Sequence, residues 1–169
     1  MSGFWRCVLY LGILALLAHP LGQALPRRWF DGGRFPYRCQ KWEKQGRVYT
    51  RIGVDRWKTL VPDMSRFLPD MVKKQVDPAA VDAAQALLLV QETCVAEAVH
   101  TASALLGLAC LALWPGWGGI LVWLVWLLLG NLPFILIQRY NRPRLMRLHA
   151  LLQRREQRKG NHEHSDPDL

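Results

Sequence analysis

The chain has 169 residues, which is room for one domain, and apolar residues make up 51% of it. Its formal net charge of +9 is unevenly placed: 13 of the 22 Lys and Arg fall in 27–78 and 8 fall in 139–169, while 98–138 holds no Lys, Arg, Asp or Glu. A soluble globule does not segregate charge in this way, so the basic residues read as flanks of membrane spans and not as a nucleic-acid surface. Cys7, Cys39, Cys94 and Cys110 show neither CxxC nor zinc-ligand spacing, which argues against a disulfide framework or a metal cluster.

Residues 1–26 read as a signal-anchor or a signal peptide. Arg6 precedes an apolar stretch, Cys7–Leu25, whose core Val8–Ala18 is short for a span, which needs about 20 residues. The expectation here is an uncleaved anchor. Residues 27–78 form a basic, aromatic juxtamembrane segment. Trp29, Phe30, Phe35, Tyr37, Trp42, Tyr49 and Trp57 are interleaved with Arg and Lys, and Gly32, Gly33, Pro36 and Gly46 break any periodicity. Indoles and phenols at headgroup depth, with cations meeting anionic lipid, explain that mixture without nucleic acid.

Asp77 and Pro78 fit an N-cap and first helical position, and a helix over 79–114 would outrun the hydrocarbon core, so its first half projects from the membrane. Trp114-Pro-Gly-Trp-Gly-Gly119 predicts a tight turn, after which Ile120–Ile137 crosses back. Residues 79–145 are thus an antiparallel transmembrane hairpin in an all-α integral membrane protein, and Pro143 is expected to interrupt its second helix. Residues 146–169 form a polar, basic tail, solvated from Gln153 to His162-Glu-His-Ser-Asp-Pro. Both basic flanks of the hairpin lie on one side, which the positive-inside rule makes cytoplasmic.

Folding the chain about Pro115–Gly116 puts His100 and Asn131 at one depth and Glu92 near Arg139. Glu92, Thr93, Glu97 and His100 share one helix face, and Asn131, Gln138 and Arg142 share a stripe on the other helix. Polar groups at membrane depth are costly and mark partners or function. Glu97 and His100, at i and i+3, can touch, and a carboxylate beside an imidazole suits it to act as a general base; Asn131 is placed to donate to an oxyanion. The same groups could instead satisfy one another, Glu92 with Arg139 and His100 with Asn131, locking the hairpin with no chemistry. A metal-dependent lipid enzyme using Glu92, Glu97 and His100 is a further reading, because Glu-x-x-His on a helix occurs in di-iron bundles; the second such motif is missing.

The text Glu92-Thr-Cys-Val-Ala-Glu-Ala-Val-His100, followed by Asn131-Leu-Pro-Phe-Ile-Leu-Ile-Gln-Arg-Tyr-Asn-Arg-Pro-Arg144, resembles the glycosyl-4,4'-diaponeurosporenoate acyltransferase family. Arg56-Trp57-Lys58 resembles the Trp-Lys pair upstream, and the likeness covers about 48–158. Cys94-Val95 and Thr101 depart from it, standing where the family has a basic residue and an aromatic one. The resemblance implies a bacterial membrane acyltransferase that places a fatty acyl group on the sugar of a carotenoid glycoside or a related glycolipid. Its partners would be membrane lipid, an acyl donor and a glycosylated lipid acceptor, with no nucleic acid and no cofactor; a second copy of the chain is a further candidate. No His-x4-Asp or Gly-x-Ser-x-Gly motif is present, so direct transfer is expected. His100 would take the hydroxyl proton with Glu97 and Glu92 beside it, and Asn131 or Gln138 would hold the acyl carbonyl. Arg139, Arg142 and Arg144, with Tyr140, Asn141, Trp57 and Lys58, would bind substrate at the interface. A non-catalytic partner of a lipid or pigment pathway remains the alternative from another class.

Overall fold

The computed structural model describes residues 2–60 and 81–163, the side chains of 159, 160, 162 and 163 excepted. Every element among the described residues is helical. In chain order they are α1 (Gly3–Ala24), a 3-10 turn (Arg27–Trp29), a 3-10 turn (Lys41–Gly46), α2 (Arg47–Arg51), α3 (Val54–Trp57), α4 (Ala83–Leu106), a 3-10 turn (Gly107–Ala109), α5 (Cys110–Leu113), α6 (Trp117–Val125), a π-helix (Trp126–Asn131) and α7 (Leu132–Glu163).

Among the described residues, three stretches are long and apolar enough to cross a membrane: Gly3–Ala24, Ala83–Leu113 and Trp117–Arg158. Their outward faces carry Leu9, Leu16, Leu21, Leu121, Leu128 and Leu129 in the open, a surface suited to lipid. The predicted hairpin is present. Its turn is Trp114–Gly116, with Gly116 at φ +95°, and Trp117 already opens the returning helix. Close approach at this turn needs a glycine: a Cβ on Gly119 would lie 2.3 Å from the Trp114 carbonyl oxygen and 2.5 Å from that of Cys110.

α1 lies antiparallel to α4, with its N-terminus at the hairpin turn. The Phe4 ring packs edge-on to Trp114 at 6.2 Å, Tyr10 donates to the Leu106 carbonyl at 2.9 Å, and Cys7 and Leu11 are buried with Cys110. All four cysteines are free thiols.

Three boundaries differ from the sequence reading. Asp77 and Pro78 lie outside the described residues; the N-cap of α4 is Asp82, whose side chain accepts from the Gln85 N–H. Pro143 does not end the second helix. α7 runs through it to Glu163, because the helix is held on both sides of the proline, by Arg139 and Arg142 before it and by His149 and Glu156 after it. The start of the tail is therefore docked helix: Ala83 N–H donates to Glu156 at 3.1 Å, and His149 Nδ1 lies 2.8 Å from the Ala83 carbonyl oxygen, which ties α7 to the free end of α4.

Candidate functional site

The polar side chains of the hairpin sort into two groups. The first is an ion-pair cluster at the basic end. Arg142, 2% exposed, donates through Nε to Thr93 Oγ1 (2.9 Å), through Nη2 to the Thr93 carbonyl (2.9 Å) and through Nη1 to the Tyr37 carbonyl (2.7 Å). Its Nη2 also pairs with Glu97 Oε2 at 2.6 Å. Arg139 holds the other oxygen of Glu97 at 2.8 Å, reaches Glu43 at 3.0 Å and donates to the Pro36 carbonyl at 2.9 Å. Burial alone would raise the pKa of Glu43, but hydrogen bonds from the Tyr49 hydroxyl and the Gln40 N–H, with Arg139 beside them, hold it below the ordinary carboxylate value. Burial and that carboxylate push the Tyr49 phenol up.

The backbone that delivers Glu43 is unusual. Lys44 and Gln45 adopt left-handed φ of 48° and 58°, and Gly46 follows at 84°. A side chain at Gly46 would be strained there, and its Cβ would press to 3.2 Å from Arg144 Nη1. Arg144 and Lys58 bracket the Tyr140 ring, at 3.6 and 4.7 Å from its centroid, and Trp57 packs on the same cluster of Tyr49, Val54 and Tyr140. Asn141 is half-buried on α7.

The second group lines a cavity of about 310 Å³ between α1, α4 and the π-helix–α7 junction. His100, Glu92, Asn131 and Gln138 face it, together with His19, Gln23, Arg27 and Ser103. His100 Nδ1 lies 3.2 Å from Asn131 Oδ1, while Asn131 Nδ2 donates to the Trp126 carbonyl at 3.0 Å. That second bond orients the amide, so its oxygen faces the imidazole. Nδ1 must then carry the proton, which leaves the lone pair of the neutral ring on Nε2. The π-helix makes this possible by turning Asn131 back toward the carbonyl five residues earlier. The Phe134 ring stacks on the imidazole at 4.5 Å with an interplanar angle of 4°. Gln138 is 3% exposed and lines the same cavity.

Several expected pairings are replaced by others. Glu92 pairs not with Arg139 but with Arg27, at 2.7 Å, and Arg27 also caps the carbonyls of Gly22, Gln23 and Leu25. Glu97 is held by Arg139 and Arg142, and the hydrogen bond orienting His100 comes from Asn131. Arg139 and Arg142 direct their donors inward, to protein partners. The carboxylates of the metal reading are thus bound to guanidinium groups, and among the described residues no three of His, Cys, Asp or Glu gather as metal ligands. Arg27 and Glu43 carry no functional signal in the sequence and Tyr37 and Tyr49 read there only as interfacial aromatics, because the path of their segment has no period; His19 lies on a helix whose apolar pattern marks only a span.

The profile of the glycosyl-4,4'-diaponeurosporenoate acyltransferase family matches residues 26–151, which takes in the ion-pair cluster and the cavity residues outside α1, and leaves out α1 with His19 and Gln23. Proteins of that name from Staphylococcus aureus are similar along most of the chain. The one from strain N315 is 28% identical over 156 residues, covering 90% of this chain and 91% of the relative. The one from strain MRSA252 is 26% identical over 158 residues, with the same coverage. No solved structure matches.

Proposed function

The chain belongs to the glycosyl-4,4'-diaponeurosporenoate acyltransferase family, and from that premise we propose that it moves a fatty acyl group onto a hydroxyl of a lipid-linked sugar, a carotenoid glycoside or a related glycolipid. It is a multi-pass protein of the cell membrane, with the basic end of the hairpin cytoplasmic and the N-terminus outside. The catalytic part is the hairpin 79–145, completed by residues from the juxtamembrane segment 27–78.

The observation that carries this reading is the relay from the Trp126 carbonyl through Asn131 to His100, on the wall of a cavity that also holds the buried Gln138 amide. His100 Nε2 takes the proton of the attacking hydroxyl as its oxygen bonds to the acyl carbonyl carbon, and returns that proton to the departing donor group. Asn131 keeps the ring in the required tautomer, and the Gln138 amide donates to the carbonyl oxygen as negative charge develops there. Glu97, Arg139 and Arg142 position the two helices, and Glu92 anchors Arg27. Trp57, Lys58, Tyr140, Asn141 and Arg144 form the interfacial rim past which the substrates enter.

The test is mass spectrometry of whole lipid extracts from cells carrying wild type, His100→Ala or empty vector. A lipid heavier by one acyl chain is expected with wild type, reduced at least ~100-fold with His100→Ala, in line with loss of a general base. Equal amounts in the wild-type and His100→Ala extracts would remove this histidine from the reaction. Identical extracts from all three strains would refute acyl transfer.

A further inference from the structure

The third wall of the cavity is α1, which lies upstream of the stretch the family profile matches. It is built into the fold at both ends. Cys7 and Leu11 are buried with Cys110 at one end, and at the other Arg27 binds the Gly22 and Gln23 carbonyls of α1, the Leu25 carbonyl just past it and Glu92 of α4 together. Between these anchors Ala15, Ala18 and Gly22 face inward, and their small size leaves the volume open. His19 and Gln23 project from the same wall. His19 is half-buried on this wall, and Gln138, 3% exposed, lines the facing wall on α7.

The charge on the cavity walls narrows what can bind. Arg27 and Glu92 are the charged residues there, and they neutralise each other through bonds of 2.7 and 3.3 Å. Arg139 and Arg142 are engaged by Glu43 and Glu97. An anionic headgroup would meet no uncompensated guanidinium, whereas imidazole and amide groups suit the hydroxyls of an uncharged sugar. We propose that α1 is a permanent wall of the active site and that His19 forms the subsite for the uncharged sugar of the acceptor, beside the Gln138 amide that faces the acyl carbonyl. The subsite rests on the reading of acyl transfer to a lipid-linked sugar, and it requires that α1 be retained.

The full chain in lipid nanodiscs, cross-linked with a photoreactive octyl glucoside, tests this. Labelling is expected on peptides covering 15–27 and 126–138. Octyl glucoside should compete at least tenfold better than octyl phosphate. His19→Ala should weaken the glucoside about 3- to 10-fold, the value of one neutral hydrogen bond, and His19→Gln should regain most of that loss. Labelling elsewhere, stronger competition by the phosphate, or unchanged binding by His19→Ala would overturn the subsite. The lipid-extract assay separates the two claims. An acylated product from a wild type whose glucoside binding ignores His19→Ala sinks the subsite alone, while glucoside held in the cavity with no acylated product sinks the reaction alone.

Discussion

Replacing Glu97 by Gln distinguishes a positioning carboxylate from a catalytic one. The residue is 5% exposed and its side chain bonds two guanidinium groups, so the substitution keeps its shape and removes its charge. Arg139 retains Glu43, but Arg142 loses the one carboxylate it is paired with among the described residues, and it is 2% exposed. Breaking a buried ion pair from one side costs about 3–5 kcal/mol, since the remaining charge stays desolvated. Against a typical stability of about 5–15 kcal/mol that is a large share. At roughly 2–4 °C per kcal/mol for a chain of this size, the apparent midpoint should fall by about 6–20 °C. The assay is the fraction of detergent-solubilised protein that stays monodisperse after heating, read beside acylated lipid from the same cells. Removing the cation as well, in Glu97→Gln/Arg142→Met, should recover part of the loss. A Glu97→Gln protein with wild-type heat resistance and abolished activity would refute the positioning role and return Glu97 to the chemistry.

Two further predictions concern pH and topology. Glu43 has a folded pKa below its unfolded value of about 4.3, so its contribution to stability is complete above that value and is lost as pH falls through the lower folded one. Glu43→Gln should therefore be less heat-resistant than wild type at pH 7, the gap should close on acidification below about 4, and a gap that persists would contradict the ion-pair account. For topology, a cysteine placed at Ser2 should react with an impermeant maleimide on intact cells, and one placed at Arg154 only after permeabilisation, both in a background with the four native cysteines removed. The opposite pattern would invert the orientation.

The hairpin and the shared depth of His100 and Asn131 were legible because both follow from counting along two helices from one turn. Each residue advances about 1.5 Å on either arm, so equal distances from Pro115–Gly116 give equal depth. The carboxylate partners were not legible by that count. Arg27, Glu43 and the Tyr37 carbonyl arrive from a segment whose path depends on the left-handed run Lys44-Gln45-Gly46 and on close packing, neither of which has a period. The π-helix was invisible for a related reason. It adds a residue to one turn without changing the apolar composition of Trp126–Asn131, yet it decides which atom of Asn131 meets His100.

These bonds also explain how helices long and apolar enough to cross a membrane keep their register. Apolar contacts between spans gain little over contacts with lipid tails, so polar links and close packing must hold the helices in place. They occur here along the length of the hairpin. Arg142 meets Thr93 and Glu97 near the basic end, His100 meets Asn131 further in, and the Trp126 and Trp123 indoles donate to the Ser103 and Ala104 carbonyls at 3.1 Å where α4 tightens into its 3-10 turn. Sliding one helix by a single residue would break the links at every level and leave buried donors unmet, at about 1–3 kcal/mol for each neutral group and more for the charged ones. The cost falls on the whole hairpin, while the benefit is local: the imidazole is held against one amide oxygen, facing a cavity whose third wall, α1, is held by Cys110 at one end and by Arg27 and Glu92 at the other.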